Sequence, residues 1–116
     1  VTHTCRKVQE LGYSKKIINE CSNDEIIKEF VSDKLISYHS TTREEFTYKG
    51  RITDLINSNK LFNDLNIENI NLNDRFMFCG SMGLNNDLKN IMLRNKLQEG
   101  ANNNPAEFVL EKAFVD

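Results

Sequence analysis

Three arginines, Arg6, Arg43 and Arg51, lie at or just after the predicted ends of β-strands. Because the carboxyl ends of parallel strands meet at one edge of a sheet, these three side chains can converge there. The planar guanidinium of arginine matches the oxygens of a phosphate in a bidentate way, and Thr41 or Thr42 adds a hydroxyl donor. The spacing therefore predicts a phosphate-binding pocket.

The alternative is that the arginines bind nothing. Each could be solvated, or it could pair with one of the acidic residues that follow the same segments, Glu44, Glu45 and Asp54. A glycine-rich phosphate loop is absent, because the chain has only five glycines and neither a GxGxxG nor a P-loop pattern. The arginines are thus the phosphate-binding candidates that the residue pattern offers.

A second candidate site follows the apolar run Phe76–Cys79, which has no polar alternation and predicts a strand buried on both faces. Gly80 allows a close approach of backbone or ligand, and Ser81 can cap the following helix. In open α/β sheets, ligands bind just outside such strand ends. The competing interpretation is a structural strand with a capped helix and an inert, buried Cys79.

Strand-like and helix-like segments alternate along the chain, which predicts an α/β protein with a parallel sheet and helices on both faces. The predicted helices carry apolar stripes that we expect to face the core. The strands are expected at Val1–Thr4, Leu35–His39, Phe76–Cys79 and Phe108–Val115. The stripes are Ile26, Ile27, Phe30 and Val31; Leu55, Ile56, Leu61, Phe62 and Leu65; and Leu84, Leu88, Ile91 and Met92.

The composition excludes several functional classes. The 116 residues carry a net charge of -2 without a basic stripe, which argues against nucleic-acid binding. No apolar run approaches the length of a membrane span, and residues 1–10 lack the apolar core of a signal peptide. The three cysteines Cys5, Cys21 and Cys79 have no zinc-site spacing, so we expect no metal, no disulfide framework and a cytoplasmic location.

Six segments, in this order, resemble the C-terminal NADP-binding domain of bacterial ferredoxin/flavodoxin–NADP reductases, and together they run over nearly the whole chain. The resemblance implies a parallel five-stranded sheet with helices on both faces, next to an FAD-binding β-barrel. It also implies hydride transfer between NADPH and FAD, and single-electron exchange with ferredoxin or flavodoxin. The segments are His3–Arg6, Tyr38–Glu44, Gly50–Ile56, Lys60–Phe62, Asp74–Ser81 and Glu111–Val115.

The resemblance also assigns roles to residues. It implies that four residues hold the 2′-phosphate and adenosine end of NADP(H), which agrees with the arginine pocket: Arg6, Thr42, Arg43 and Arg51. Cys79, Gly80 and Ser81 correspond to the loop beside the nicotinamide, with Cys79 as a packing wall that orients the hydride transfer. Phe114 corresponds to a residue of the C-terminal tail near the flavin.

The sequence departs from the family in what it lacks. Residues 1–116 are expected to form a partial NADP(H)-binding domain, without the FAD domain and without the first, central strand. The chain alone should have no reductase turnover. Because unpaired interior strand edges are adhesive, we expect the chain either to rearrange its own strands or to associate with a second copy.

Two other functions stay open at this point. One is a reductase component of an oxygenase, which shares this domain but prefers NAD, and against which Arg43 and Arg51 argue. The other is a non-catalytic α/β module that binds a nucleotide phosphate or a protein partner.

Lys112, at a position where family members often have arginine, changes none of the expected phosphate ligands.

Overall fold

The computed structural model describes residues 1–113, and the chain divides into two compact units, Val1–Ser58 and Asn59–Asp116. Phe114, which the resemblance places near a flavin, lies outside the described residues. The first unit contains, in chain order, strand β1 (Thr2–Cys5), a 3-10 helix (Val8–Leu11), helices α1 (Gly12–Asn23) and α2 (Lys28–Val31), strand β2 (Tyr38–Thr41) and helix α3 (Ile52–Asn57).

Strands β1 and β2 form a parallel ladder in which Thr2 pairs with Tyr38 and Cys5 pairs with Thr41. The parallel direction requires a long crossover, which the 3-10 helix, α1 and α2 supply. Alternate residues point to opposite faces, so His3 and Cys5 share one face. Helix α1 packs on that face, because Ser14 contacts the ring of His3.

The core of the first unit is built from side chains on both the strands and the helices. Leu11 and Tyr38 are almost fully buried, and the ring of Tyr38 stacks on that of Tyr48 with 4.0 Å between their centroids. Ser40 is also buried, and its hydroxyl bonds the hydroxyl of Thr4 at 2.7 Å. These polar contacts satisfy the hydroxyls that the β1–β2 ladder takes out of water.

Two predictions for the first unit are wrong. The second strand covers Tyr38–Thr41 rather than Leu35–His39, because Lys34 and Leu35 donate their amides to Val31 and continue the turn after α2. The helical stripe of residues 26–31 is not core, since Ile26 is 77% exposed and Phe30 is 71% exposed. Periodicity predicts which side chains share a face, and it does not reveal whether anything covers that face.

The second unit contains helix α4 (Lys60–Leu65), strand β3 (Phe76–Gly80), helix α5 (Met82–Arg94) and strand β4 (Phe108–Lys112). Strands β3 and β4 pair in parallel, with Phe76 opposite Phe108 and Gly80 opposite Lys112. Helix α5 packs on both strands. Among the described residues of this unit, the buried apolar side chains are Leu61, Phe62, Leu88, Ile91, Met92, Leu97 and Phe108.

Only one face of the β3–β4 sheet is covered within the described residues. Phe76 and Phe78 are partly buried, whereas Met77 is 72% exposed and Cys79 is also exposed. The expectation that Phe76–Cys79 is buried on both faces is therefore wrong. An uninterrupted apolar run predicts two covered faces, but here α5 covers one of them.

The turn from β3 into α5 confirms the predicted helix cap. The hydroxyl of Ser81 accepts a hydrogen bond from the amide of Leu84 at 3.3 Å. A Cβ atom at Gly80 would lie 2.7 Å from the end of the Leu84 side chain. Gly80 therefore lets the end of the strand approach the first turn of α5, which is a packing role.

The predicted apolar stripe from Leu55 to Leu65 forms two helices rather than one. Helix α3 ends at Asn57, and α4 begins at Lys60. Between them Asn59 adopts a left-handed conformation with φ of 63°, which asparagine tolerates better than most residues. Leu55, Leu61 and Phe62 are nevertheless buried as expected.

The predicted α/β class with parallel strands is confirmed. Within residues 1–113, however, the four strands form two separate two-stranded sheets, β1–β2 and β3–β4. The described strands have thus not rearranged into one sheet, so that part of the expectation is wrong. Pairing with a second copy is not tested by a single chain and stays a prediction.

The two glycines Gly100 and Gly83 should respond oppositely to alanine. A Cβ at Gly100 would lie 2.6 Å from the backbone nitrogen of Ala106, which cannot move aside as a side chain can, whereas nothing lies within 4 Å at Gly83. We expect Gly100→Ala to lower the free energy of unfolding by about 1–3 kcal/mol. Gly83→Ala, in α5, should raise it by about 0.5–1 kcal/mol. Urea denaturation measures both, and a shift of the two variants in the same direction would contradict the packing at Gly100.

Candidate functional site

Backbone hydrogen bonds extend the β1–β2 pairing beyond the strand ends. The amide of Thr42 donates to the carbonyl of Cys5 at 2.9 Å, and the amide of Arg43 donates to the carbonyl of Arg6 at 3.0 Å. The two loops therefore leave the sheet side by side. As a result, the backbones of Arg6 and Arg43 are directly bonded, although 36 residues separate them in the chain.

A third segment is tied to the same strand end. The amide of Thr41 donates to the carbonyl of Tyr48 at 3.1 Å, and the amide of Gly50 donates to the carbonyl of Thr41 at 2.8 Å. Gly50 has a φ of 140°, a backbone conformation that residues other than glycine rarely adopt. This turn delivers Arg51 to the start of α3, one residue after the bonded glycine.

Two of the three acidic residues that could have neutralised these arginines are engaged elsewhere. Glu44 accepts a hydrogen bond from the amide of Val8 at 2.7 Å, and Glu45 pairs with Lys49. Across residues 1–113, none of Arg6, Arg43 and Arg51 forms an ion pair, and all three are exposed. For the described residues, this excludes the alternative in which the arginines pair with neighbouring carboxylates.

We call Arg6, Thr42, Arg43 and Arg51 the arginine cluster. Three exposed cations without counter-ions stand near one strand end, and Thr42 adds a half-buried hydroxyl whose hydrogen bond, donated to the carbonyl of Cys5, is long at 3.5 Å. Phosphate oxygens accept hydrogen bonds from such groups and supply the missing negative charge. The residues present thus fit a phosphate, and the fit does not involve a helix dipole or a glycine-rich loop.

Glu44 is a contributor to this site that the sequence analysis missed. Its carboxylate holds the amide of Val8, and its carbonyl accepts a hydrogen bond from the hydroxyl of Thr41 at 2.7 Å. It therefore links the loop after β1 to the loop after β2. No sequence signal distinguishes this glutamate from Glu45, because the link depends on the two loops lying side by side.

The residues of the second candidate site surround the end of β3. Cys79 is exposed, Gly80 is buried, and the hydroxyl of Ser81 is used in capping α5. The carbonyl of Gly80 accepts a hydrogen bond from the amide of Ala113 at 3.0 Å. The carbonyl at the strand end is thus bonded to the backbone of the neighbouring chain segment, whereas the side chain of Cys79 is exposed.

Asn85 is the second residue that the sequence analysis missed. It is buried, and its side-chain amide donates to the carbonyl of Glu111 at 2.9 Å and to the carbonyl of Gly80 at 3.4 Å. It thereby joins the ends of β3 and β4. A signal was available, because position 85 shares a helical face with Leu88 and Met92, and a polar residue within an apolar stripe needs a bonding partner.

Neither a metal site nor a membrane span is found in the described part of the chain. Residues 1–113 contain no group of three or more histidine, cysteine, aspartate or glutamate side chains placed to hold a metal ion. None of the helices there is long and apolar enough to cross a membrane.

The folding pattern is that of an α/β domain with parallel strands. In structure, the chain is similar to a ferredoxin NADP⁺ reductase from Neisseria gonorrhoeae that was crystallised with bound FAD and NADP. The TM-score is 0.76 at 19% identity, over 97% of this chain and 43% of that one. This similarity establishes the fold.

The sequence comparisons are more specific. The chain is 47% identical over 114 residues to the flavodoxin/ferredoxin–NADP reductase of Rhodobacter capsulatus, and 39% identical over 116 residues to ferredoxin–NADP reductase A of Sorangium cellulosum. These matches cover 97% and 99% of this chain but only 42% of each relative, so the chain spans less than half of their length. No protein-family model matches the sequence.

The resemblance seen in the motifs is thereby confirmed. The chain corresponds to part of the ferredoxin/flavodoxin–NADP reductases, the C-terminal NADP-binding domain.

Asn85→Ala should destabilise the chain by about 1–3 kcal/mol, because it removes the donor that two strand-end carbonyls share. Urea denaturation at pH 7 tests this. Asn85→Asp places a carboxylate against the same carbonyls, so the pKa of that carboxyl should rise in the folded state. Stability should then increase as the pH falls, because the protonated acid regains a donor. An Asn85→Asp variant that is as stable as the parent at pH 7 would contradict the bridging role.

Proposed function

We propose that the chain is the NADP(H)-binding part of a ferredoxin/flavodoxin–NADP reductase. In the whole enzyme, FAD supplies the chemistry by exchanging a hydride with NADP(H) and single electrons with ferredoxin or flavodoxin. The observation that carries the proposal is the arginine cluster, because its cations are exposed and without counter-ions at a strand end. The names of the relatives, which are NADP reductases, agree with this.

Within this proposal, the arginine cluster binds the 2′-phosphate and adenosine end of NADP(H). Arg43 and Arg51 are the residues that favour NADP over NAD, because NAD has no 2′-phosphate to occupy the cations. Arg6 reaches the same phosphate from the loop after β1, and Thr42 donates its hydroxyl. Glu44 positions the two loops, with its carboxylate turned to the Val8 amide instead of the ligand.

The end of β3 serves the nicotinamide in this proposal. Cys79 is exposed at the last pair but one of the ladder, where it can form a wall against the nicotinamide ring and orient it for hydride transfer. Gly80 and Ser81 keep the strand end and the start of α5 compact beneath that wall. Phe114 is proposed to pack near the flavin.

The remaining expectations belong to the same proposal. Ferredoxin or flavodoxin is the electron partner, and the three cysteines, all free, agree with a cytoplasmic location. The isolated chain should show no reductase turnover. Because each sheet has only two strands, self-association through the strand edges is expected, and light scattering should detect a dimer or larger species. A monodisperse monomer at all concentrations would contradict that expectation.

Calorimetric titration of the chain at low salt tests nucleotide binding. We expect 2′-phospho-AMP to bind weakly and AMP to bind undetectably. Arg43→Ala should weaken binding about 10- to 100-fold, which corresponds to the loss of a charged hydrogen bond of about 1.5–3 kcal/mol. Arg43→Lys should recover only part of the loss, since lysine keeps the charge without the bidentate fork.

Arg75→Ala is the matched control, because Arg75 is an exposed arginine of the second unit whose guanidinium donates to the carbonyls of Leu72 and Asp74. It should leave the affinity for 2′-phospho-AMP unchanged. Equal binding of AMP and 2′-phospho-AMP, or equal loss in both alanine variants, would count against the arginine cluster as the NADP-selective site.

A further inference from the structure

His3, Cys5 and Ser14 form a cluster in the first unit that nucleotide binding does not use. His3 and Cys5 share one face of β1, and the Sγ of Cys5 lies 3.1 Å from the Nε2 of His3. On the other side of the ring, the Nδ1 of His3 lies 2.6 Å from the Oγ of Ser14, in α1. All three residues are half-buried.

The hydrogen-bond network favours one direction for each proton. The hydroxyl of Ser14 donates to the carbonyl of Leu11 at 3.1 Å, so its oxygen accepts from His3. In a neutral imidazole only one nitrogen carries hydrogen, and here that nitrogen is Nδ1. The Nε2 of His3 is then a bare acceptor, and the thiol of Cys5 donates to it. This tautomer follows from the network of donors and acceptors.

The arrangement has the three parts of an assisted nucleophile. Cys5 is the nucleophile, His3 is a base within hydrogen-bond reach of it, and Ser14 orients the base from its far side. Burial raises the pKa of the Cys5 thiol, and the charge of Glu10 raises it further. The sulfur therefore keeps its proton at rest, and a base is needed at the moment of attack.

Other roles for the cluster fit the structure less well. A metal site is excluded for the described residues, because no three ligand side chains come close enough together. The neighbouring ring of His39, 6.3 Å from that of His3, has a buried Nε2 without a hydrogen-bond partner and is not bonded to the thiol. The base that contacts Cys5 is thus His3.

We propose that Cys5 is a modification site that reacts with low-molecular-weight disulfides, with His3 as general base and Ser14 as the residue that positions His3. The inference is independent of nucleotide binding. It rests on the three side chains, on the short distances between them, and on the partial exposure of Cys5.

The reaction is a thiol–disulfide exchange. The Sγ of Cys5 attacks one sulfur of the disulfide as its proton passes to the Nε2 of His3. The S–S bond of the reagent breaks, a new S–S bond forms at Cys5, and the second sulfur leaves as a thiolate that takes the proton from His3. Cys5 is oxidised by one equivalent and the leaving sulfur is reduced by one, so no further oxidant is required.

The test is the rate at which glutathione disulfide modifies each cysteine of the 116-residue chain, followed by peptide mass spectrometry. Cys21 is the internal control, because it is also half-buried but has no imidazole bonded to it. General-base assistance gives about 10²- to 10⁴-fold, and the raised pKa of the Cys5 thiol offsets part of this gain because less thiolate is present at rest. We therefore expect Cys5 to react about tenfold or more faster than Cys21.

Matched histidine variants separate assistance from simple exposure. His3→Gln keeps a polar side chain but removes the base, and it should bring the rate of Cys5 down to that of Cys21. His39→Gln, on the paired strand, should leave both rates unchanged. A Cys5 rate no higher than that of Cys21, or one that His3→Gln does not lower, overturns the proposal.

Ser14→Ala covers the case in which His3→Gln does not fold, as judged by circular dichroism. It leaves the base in place and removes only its orienting partner, so the Cys5 rate should fall several-fold while the Cys21 rate stays constant. An unchanged Cys5 rate in a folded Ser14→Ala chain would overturn the positioning role.

Discussion

The parallel backbone pairing of β1 with β2 is the interaction on which the first unit depends. It continues past both strands through the bonds from Thr42 to Cys5 and from Arg43 to Arg6. Backbone bonds specify the register without regard to side-chain type, so the arginines are free to remain exposed. The ladder also places His3 and Cys5 on one face, against α1. The arginine cluster and the cluster of His3, Cys5 and Ser14 thus both depend on the register in which β1 pairs with β2.

Two-stranded parallel sheets are unusual, because parallel strands commonly need neighbours and covered faces. Within residues 1–113 each sheet has two strands, and β3–β4 exposes Met77 and Cys79 on the face opposite α5. The curated relatives are more than twice as long as the region matched. The exposed apolar side chains therefore agree with a chain that matches less than half of the length of its relatives.

Much of the architecture could be predicted from local patterns. The strand that begins at Phe76, the cap at Ser81 and the stripe through Leu88 and Met92 each follow from short-range rules, and the structure confirms them, although the strand is covered on one face and not on two. The prediction failed where burial depends on what covers a surface. The stripe with Ile26 and Phe30 has helical spacing but lies exposed, because no described element packs over it. Asn59 divided a continuous stripe through its own backbone conformation.

The sequence by itself determined the chemistry that is available: three arginines near strand ends, three unpaired cysteines, and motifs that indicate a reductase family. The tertiary structure alone decided how these groups are used. It turned Glu44 toward the Val8 amide and away from the arginines, made Asn85 a bridge between strand ends, and placed the thiol of Cys5 3.1 Å from an imidazole nitrogen of His3. The physical reason is that each of these contacts joins residues far apart in the chain or depends on a proton direction that only the complete hydrogen-bond network specifies.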